Sequence, residues 1–189
     1  GEKKLNKRGA FVDSGFLKVF SFPLIEGNAD NALKGIYSIV LTEKFAKALF
    51  GKEEAMGKTV RIDSVSNCTV TGILKDLPNN TQFQFDYLLP WGYMNMLGWN
   101  DESWGNNSVY TYTLLKPGSK QAAFDAKIKN ITIDHTKGSA FASTTEVFTQ
   151  PLNRSYLYAK SDNGKLVGGQ IETVRLFGII AAFILLIAC

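Results

Sequence analysis

The sequence predicts an α+β fold: five or six mostly antiparallel strands with three helices packed on them. Three stretches carry that prediction. "YSIVLTEKFAKALFG" moves from a β-branched run into an amphipathic helix. "GKTVRIDSVSNCTVTGILKDLP" alternates on both sides of a turn, and "TQFQFDYLL" alternates strictly. Length is sufficient for one or two domains: 189 residues, 45% hydrophobic and 20% charged, within the ordinary range for a packed chain.

In chain order, "VDSGFLKVFSF" offers Asp13 or Ser14 as an N-cap and sets Phe16, Val19 and Phe20 at helical spacing. "PLIEGNADNALKG" is rich in turn formers and reads as a loop. Ser38 to Leu41 then form a strand. Thr42 caps a helix that presents Phe45, Ala46, Leu49 and Phe50 on one face, with Gly51 where a C-terminal glycine belongs. Val60 and Ile62 alternate, Ser64 to Asn67 turn, and Cys68, Val70 and Gly72 alternate again before Ile73 and Leu74, which is a hairpin. Phe83, Phe85 and Tyr87 fall on one face of the next strand.

"PWGYMNMLGWNDESWGNN" reads as a long loop-like segment. "SVYTYTLLKPG" reads as a strand, and "SKQAAFDAKIKNITIDH" as one helix begun by Ser119, with Ala123, Phe124, Ile128 and Ile131 on one side. "TEVFTQPL" and "SYLYA" read as short strands ahead of Gly168 and Gly169. From Gln170 to Cys189 the chain becomes a single helix, and its last fourteen residues carry no charge. A spanning helix needs about 20 apolar residues, so this run alone is of intermediate length.

Composition narrows the function classes. The net charge of +4 is spread along the chain, apart from "EKKLNKR" near the start, so there is no basic stripe of the kind nucleic acids require. The two cysteines, Cys68 and Cys189, make no C-x-x-C pair and no disulfide framework. "GKEEAMGKT" fails as a phosphate-binding loop, because Lys52 stands where the first glycine must be and the stretch joins a helix to a strand. His135 is the only histidine, so a histidine-based metal site or catalytic triad has no second imidazole to draw on. A helix-end or solvated loop position suits it better. Asp76, Asp86, Asp101 and Glu102 are the carboxylates a glycosidase pair would draw on. Asp76, followed by Leu77, Pro78, Asn79 and Asn80, is more simply a turn residue. The five N-x-[ST] triplets at Asn67, Asn79, Asn106, Asn130 and Asn153 are expected by chance in a chain this rich in Asn and Thr.

The most distinctive patch is aromatic. Trp91, Trp99 and Trp104, with Tyr93, Met94 and Met96 between them, are suited either to anchoring a partner or cargo or to packing a small satellite core.

These residues also carry a resemblance. "FVDSGFLKVFSFPLIEGN", "IVLTEKFAKALFGKEEAMGKTVRI", "VTGILKDLPNNTQFQFDYLLP", "TYTLLKPGS" and "ETVRLFGIIAAFILLIAC" resemble, in order, the extracytoplasmic core domain of MacB/FtsX-type ABC transporter permeases, in the form common in Bacteroidota. The resemblance is most specific from Leu41 to Pro78 and weaker over the Trp-rich segment and Lys120 to Gly169.

The resemblance implies a MacB-like periplasmic core domain over residues 1–169, lacking the opening strand and helix that the family carries ahead of the "VDSGF" motif, and an inserted subdomain over 91–150. Residues 170–189 would be a stalk and the start of a transmembrane helix, cut short here. It further implies a domain on the periplasmic side of the bacterial inner membrane, a permease dimer, a separate ABC ATPase subunit and a periplasmic partner protein, without cofactor, metal or nucleic acid. Its role would be to couple cytoplasmic ATP hydrolysis to export, extraction or partner regulation. Two other readings stand beside it: a membrane-tethered ligand-binding sensor, and a secreted glycosidase using two carboxylates.

Overall fold

The computed structural model describes residues 3–139, 144–162 and 165–188. The chain forms two compact units, one reaching to Glu102 and one beginning at Ser103.

The first unit is built on a mixed sheet. Its strands are β1 (Gly9–Val12), β2 (Leu24–Gly27), β3 (Ser38–Thr42), β4 (Thr59–Ile62), β5 (Ser66–Leu74) and β6 (Tyr87–Pro90). They run in the order β1-β6-β3-β5-β2, with β4 also on β5. Pairings β1 with β6 and β3 with β5 are parallel, while β2 with β5, β3 with β6 and β4 with β5 are antiparallel. Strand β3 pairs with Thr69 to Leu74, β4 with Ser66 to Thr69, and β2 with Gly72 to Leu74. The Thr69 amide bonds the Tyr37 carbonyl on one edge of β5, and the Val70 amide bonds the Lys58 carbonyl on the other. Strands β4 and β2 therefore lie end to end along the edge of β5 that β3 does not use.

Both faces of the sheet are covered. One core gathers Ile39, Leu41, Phe45, Ala46, Val60, Ile62, Cys68, Val70, Ile73, Leu89 and Tyr93 beneath α2 (Glu43–Phe50) and α3 (Trp91–Met96). The other gathers Val12, Leu17, Leu33, Val40, Leu74, Phe85 and Leu88 around α1 (Phe16–Val19). All five residues of β3 are buried, and this explains its unbroken apolar run.

The strand-cap-helix reading of 38–51 holds in detail. Thr42 Oγ1 accepts the Phe45 amide at 3.4 Å, and Gly51 leaves α2 at φ 68°. At the start of α1 the Asp13 carboxylate accepts the Gly15 amide at 2.7 Å, one residue ahead of the helix. In β5 the alternation is broken. Ile39 pairs with Val70 but Val40 pairs with Gly72, so Thr71 is an extra residue in a bulge. The bulge reverses parity: Cys68 and Val70 share a face with Ile73, whereas Gly72 turns to Leu24, Ala32 and Val40. The Thr71 hydroxyl, freed from the ladder, donates to the Ala32 carbonyl at 2.6 Å.

Several elements differ from expectation. Strand β6 begins at Tyr87, four positions after Phe83. Phe83 and Phe85 join Phe16, Phe20 and Phe22 in one aromatic cluster, with ring centroids 4.6 to 6.2 Å apart, while Tyr87 enters the opposite core. Burial alternates there, but Phe83 to Asp86 form no ladder. Strands β1 and β2 and helix α3 lie where no element was read.

The second unit departs further. "SVYTYTLLKPG" forms no strand, and Tyr110 is 92% exposed. The helix expected from Ser119 is two, α4 (Gln121–Ile128) and α5 (Ile131–Thr136), broken at Lys129 and Asn130. Phe124 and Ile128 are half-buried, but Ala123 and Ile131 are exposed, so four apolar residues do not share one face. The Asp125 carboxylate accepts the Thr149 amide and hydroxyl at 2.9 and 2.6 Å. Neither "TEVFTQPL" nor "SYLYA" forms a strand; a 3-10 turn, Leu152–Arg154, joins them. The strands are instead a hairpin of β7 (Lys160–Asp162) and β8 (Lys165–Gly168).

Gly168 and Gly169 then turn into α6 (Gln170–Ala188), the expected single helix; Cys189 lies outside the described residues. No residue of α6 is buried, and all but the half-buried Ile171 are exposed. With 19 residues and a mean hydropathy of 2.2, it is long and apolar enough to cross a membrane.

Candidate partner surface

The first two predicted tryptophans are placed by α3 and its exit. Pro90, with φ −68°, precedes the helix, and Trp91 is its first residue, half-buried. At the other end Gly98 takes φ 72°. Its amide bonds the Asn95 carbonyl, and the Trp99 amide reaches back to Met94 at 3.2 Å. This is the paired hydrogen-bond pattern of a glycine-terminated helix, and it returns Trp99 against the first strand. Trp99 is 59% exposed. Its ring meets Phe11 edge-on, with centroids 6.1 Å apart and planes at 88°. Phe11 in turn stacks on the fully buried Tyr93 at 6.2 Å.

Between these rings lies a cleft of about 110 Å³, lined by Gly9, Phe11, Asp63, Tyr87, Tyr93 and Trp99 together with Ala10, Ile62, Leu89 and Leu97. Burial pushes the Tyr87 hydroxyl above its ordinary pKa, and the negative charge of Asp63 adds to the effect. A side chain at Gly9 would run into the outer edge of the Tyr87 ring, which would have to shift. A larger groove of about 620 Å³ runs past Asn6, Lys7, Arg8, Gln84, Phe85 and Asp86, but it is open and its Lys7 and Asp86 pair with each other at 3.4 Å.

Trp104 belongs to the second unit. It is 44% exposed, and its ring lies flat on His135, with centroids 3.9 Å apart and planes within 2°. His135 is exposed in the last turn of α5, a helix-end position.

The carboxylates weighed for hydrolysis serve other ends. Asp76 accepts the Lys44 amide at 2.8 Å, capping α2 from a distance rather than closing its own turn. Asp86 accepts the Arg8 amide at 3.0 Å and pairs with Lys7. Glu102 accepts from Asn100, and Asp101 and Glu102 are exposed. Among the described residues no group of three or more His, Cys, Asp or Glu is placed to hold a metal. Helix α3 and its glycine exit were missed in the sequence; the W-G-Y-M-N-M-L-G-W spacing, with Gly98 one residue past the last turn, was the available signal.

The chain thus combines a mixed α+β unit with an apolar helix long enough to cross a membrane. The comparisons make this specific. The model of the MacB-like periplasmic core domain family matches residues 1–131. The chain belongs to that family, whose members are periplasmic domains of ABC transporter permeases.

Among solved structures, a domain of a protein assigned as a permease from Porphyromonas gingivalis is 25% identical, with a TM-score of 0.56 over 73% of this chain and 64% of that one. The present chain thus spans under two thirds of that structure. The periplasmic region of MacB from Actinobacillus actinomycetemcomitans is 21% identical, covering 46% of this chain and 38% of that one at a TM-score of 0.37. The extracellular domain of the noncanonic ABC-type transporter YknZ from Gram-positive bacteria is 19% identical, covering 49% and 50% at 0.37. No curated protein matches.

Proposed function

We propose that the chain is the non-catalytic extracytoplasmic domain of an ABC permease subunit. It stands on the periplasmic side of the inner membrane and passes motion driven by cytoplasmic ATP hydrolysis to export, extraction or partner regulation outside. Its membership of the periplasmic core family over residues 1–131 carries this reading. Residues 1–169 are the extracytoplasmic core domain, with 91–150 as an inserted subdomain whose first helix, α3, packs into the core of the first unit, and 170–189 begin a transmembrane helix. A separate ATPase subunit, a second permease copy and a periplasmic protein are the partners.

Transmission of this kind needs rigid elements with alternative arrangements. The start of α6 supports it. The Ile171 amide bonds the Leu157 carbonyl at 3.1 Å, and Gly169 packs so closely that an added side chain would lie 2.8 Å from that same carbonyl. The Gly pair is therefore a packed turn, and helix motion is delivered to the chain around Leu157. The half-buried Trp91 and the exposed Trp99 and Trp104 are the proposed cargo or partner contacts, since aromatic side chains are favoured anchors.

The test uses the whole transporter. A flexible Gly-Ser insertion after Gly169 should abolish export or extraction while ATPase activity and membrane abundance stay near normal. Joint replacement of Trp99 and Trp104 by Ala should weaken export or partner capture with the same two controls unchanged. Normal export by the insertion variant would sink the transmission reading.

A further inference from the structure

The cleft beside Trp99 carries more than an exposed aromatic. Its walls are ring faces and edges: Phe11 and Tyr93 stack in series, Trp99 stands perpendicular to Phe11, and Tyr87 lies over Gly9. Its one ionised group is Asp63. That residue sits in the three-residue loop joining β4 to β5 at φ 48°, a conformation few non-glycine residues adopt outside tight turns. The loop is held by Arg61, whose guanidinium donates to the Ser64 carbonyl at 2.9 Å. Arg61 is thus committed to backbone, and Asp63 has no ion pair or side-chain hydrogen bond among the described residues. The influence of its charge on the Tyr87 hydroxyl agrees with a carboxylate at the cleft wall.

Aromatic faces around a carboxylate form a cation site, since ring quadrupoles attract positive charge and the carboxylate neutralises it. Size limits the guest. Drug-sized ligands occupy about 300 Å³ or more. Liquid water takes about 30 Å³ per molecule, so this cleft holds about four waters' worth, close to a butylammonium group.

We propose that the cleft receives one cationic side chain, a lysine or arginine, from a partner polypeptide, between Phe11, Tyr87 and Trp99 with its charge at Asp63. The proposal deepens the reading of Trp99 as a partner contact and rests on it.

The experiment titrates the full chain in detergent with acetyl-Gly-Lys-Gly-amide, its norleucine and glutamate counterparts, and n-butylammonium. It follows the indole NMR signal of Trp99, which is identified by its loss in Trp99→Phe. The lysine peptide should shift that signal saturably, and the norleucine and glutamate peptides should not. Asp63→Asn should weaken the lysine peptide at least about fivefold without altering thermal stability. Equal binding of the norleucine peptide, no effect of Asp63→Asn, or no shift at all would overturn the proposal. Tighter binding of n-butylammonium than of the peptide would replace the partner polypeptide by a small amine.

Failure of the peptide alongside an export defect in a Trp99→Ala permease removes the cation chemistry and leaves the partner surface standing. Peptide binding alongside normal export in that permease removes the partner reading alone.

Discussion

The carboxylate of Asp76 accepts the backbone amide of Lys44 at 2.8 Å, so the first turn of α2 is capped twice, once by Thr42 from its own chain end and once by a residue that follows β5. Each cap satisfies an amide that the helix cannot. Asp76→Ala and Thr42→Ala should each cost about 1 kcal/mol in chemical denaturation. The double variant should depart from additivity, because both act on one turn. A neutral Asp76→Ala would show that water replaces the carboxylate.

Two glycines with positive φ separate conformational strain from steric clash. Gly51 has nothing within 4 Å of an added Cβ, whereas at Gly27, φ 95°, that atom would lie 2.6 Å from the Thr71 carbonyl. Gly51→Ala should cost about 1 kcal/mol and Gly27→Ala clearly more, since β2 must then leave β5. Similar midpoints for the two variants in urea denaturation would contradict this.

Thiol chemistry should be governed by opening of the fold. Cys68 is fully buried, and burial raises its thiol above the ordinary range, so it is neutral and inaccessible. In a Cys189→Ser background, modification by a disulfide reagent should be slow in buffer and fast in denaturant. Rapid reaction of the native protein would place Cys68 in a segment that opens readily.

Acid sensitivity has a defined sign. The Glu53 carboxylate is held below its usual range by its hydrogen bond from Lys58 and by that residue's charge; the ammonium also lies 5.0 Å from the Phe50 ring centre. A depressed folded-state value stabilises above the unfolded one and is lost as pH falls through the carboxylate range into the folded value. The group is exposed, so the contribution should be small and salt-sensitive. Glu53→Gln should flatten the acid limb of the stability profile slightly, and an unchanged limb would show the pair to be inert.

Helix α6 should decide the state of association. Its apolar side chains are exposed from Val174 onward, a patch that water does not tolerate. A chain ended after Gly169 should be monodisperse without detergent and the full chain should self-associate, as read by light scattering. A full chain that stays monomeric in plain buffer would contradict the exposure of this helix.

Legibility in the sequence followed locality. Thr42, Phe45 and Gly51 announce α2 because cap, stripe and stop lie within ten residues. The β4–β5 hairpin was legible for the same reason, although its turn, read at Ser64 to Asn67, lies at 63–65, with Ser66 and Asn67 already paired to Ile62 and Arg61. Strand β1 was not: "GAFV" becomes a strand only because β6 arrives beside it, and its neighbour on the chain shows nothing of that pairing. The bulge at Thr71 was hidden too, because the apolar run from Gly72 to Leu74 fits either parity until Val40 and Ile39 select one. In the second unit, "SVYTYTLL" has strand composition, yet among the described residues no strand pairs with it. At the candidate site the aromatic residues were visible as composition; the glycine exit that orients Trp99, and the Asp63 loop opposite it, required the fold.

The parallel pairing of β1 with β6 sets a schedule for assembly. The strand that opens the sheet is partnered by the strand that closes it, so every other strand is synthesised while Ala10, Phe11 and Val12 wait unpaired. Strand β5, which binds β3, β4 and β2, can organise the middle of the sheet earlier. For a chain delivered vectorially, beginning with its first residues, the vulnerable interval runs from the emergence of Phe11 to that of Leu89. At about 5 to 20 residues per second, emergence of that stretch takes seconds, long compared with the microseconds of hairpin formation. A chaperone that shields a short apolar strand would act in that window, and once Pro90 has emerged its task would be over.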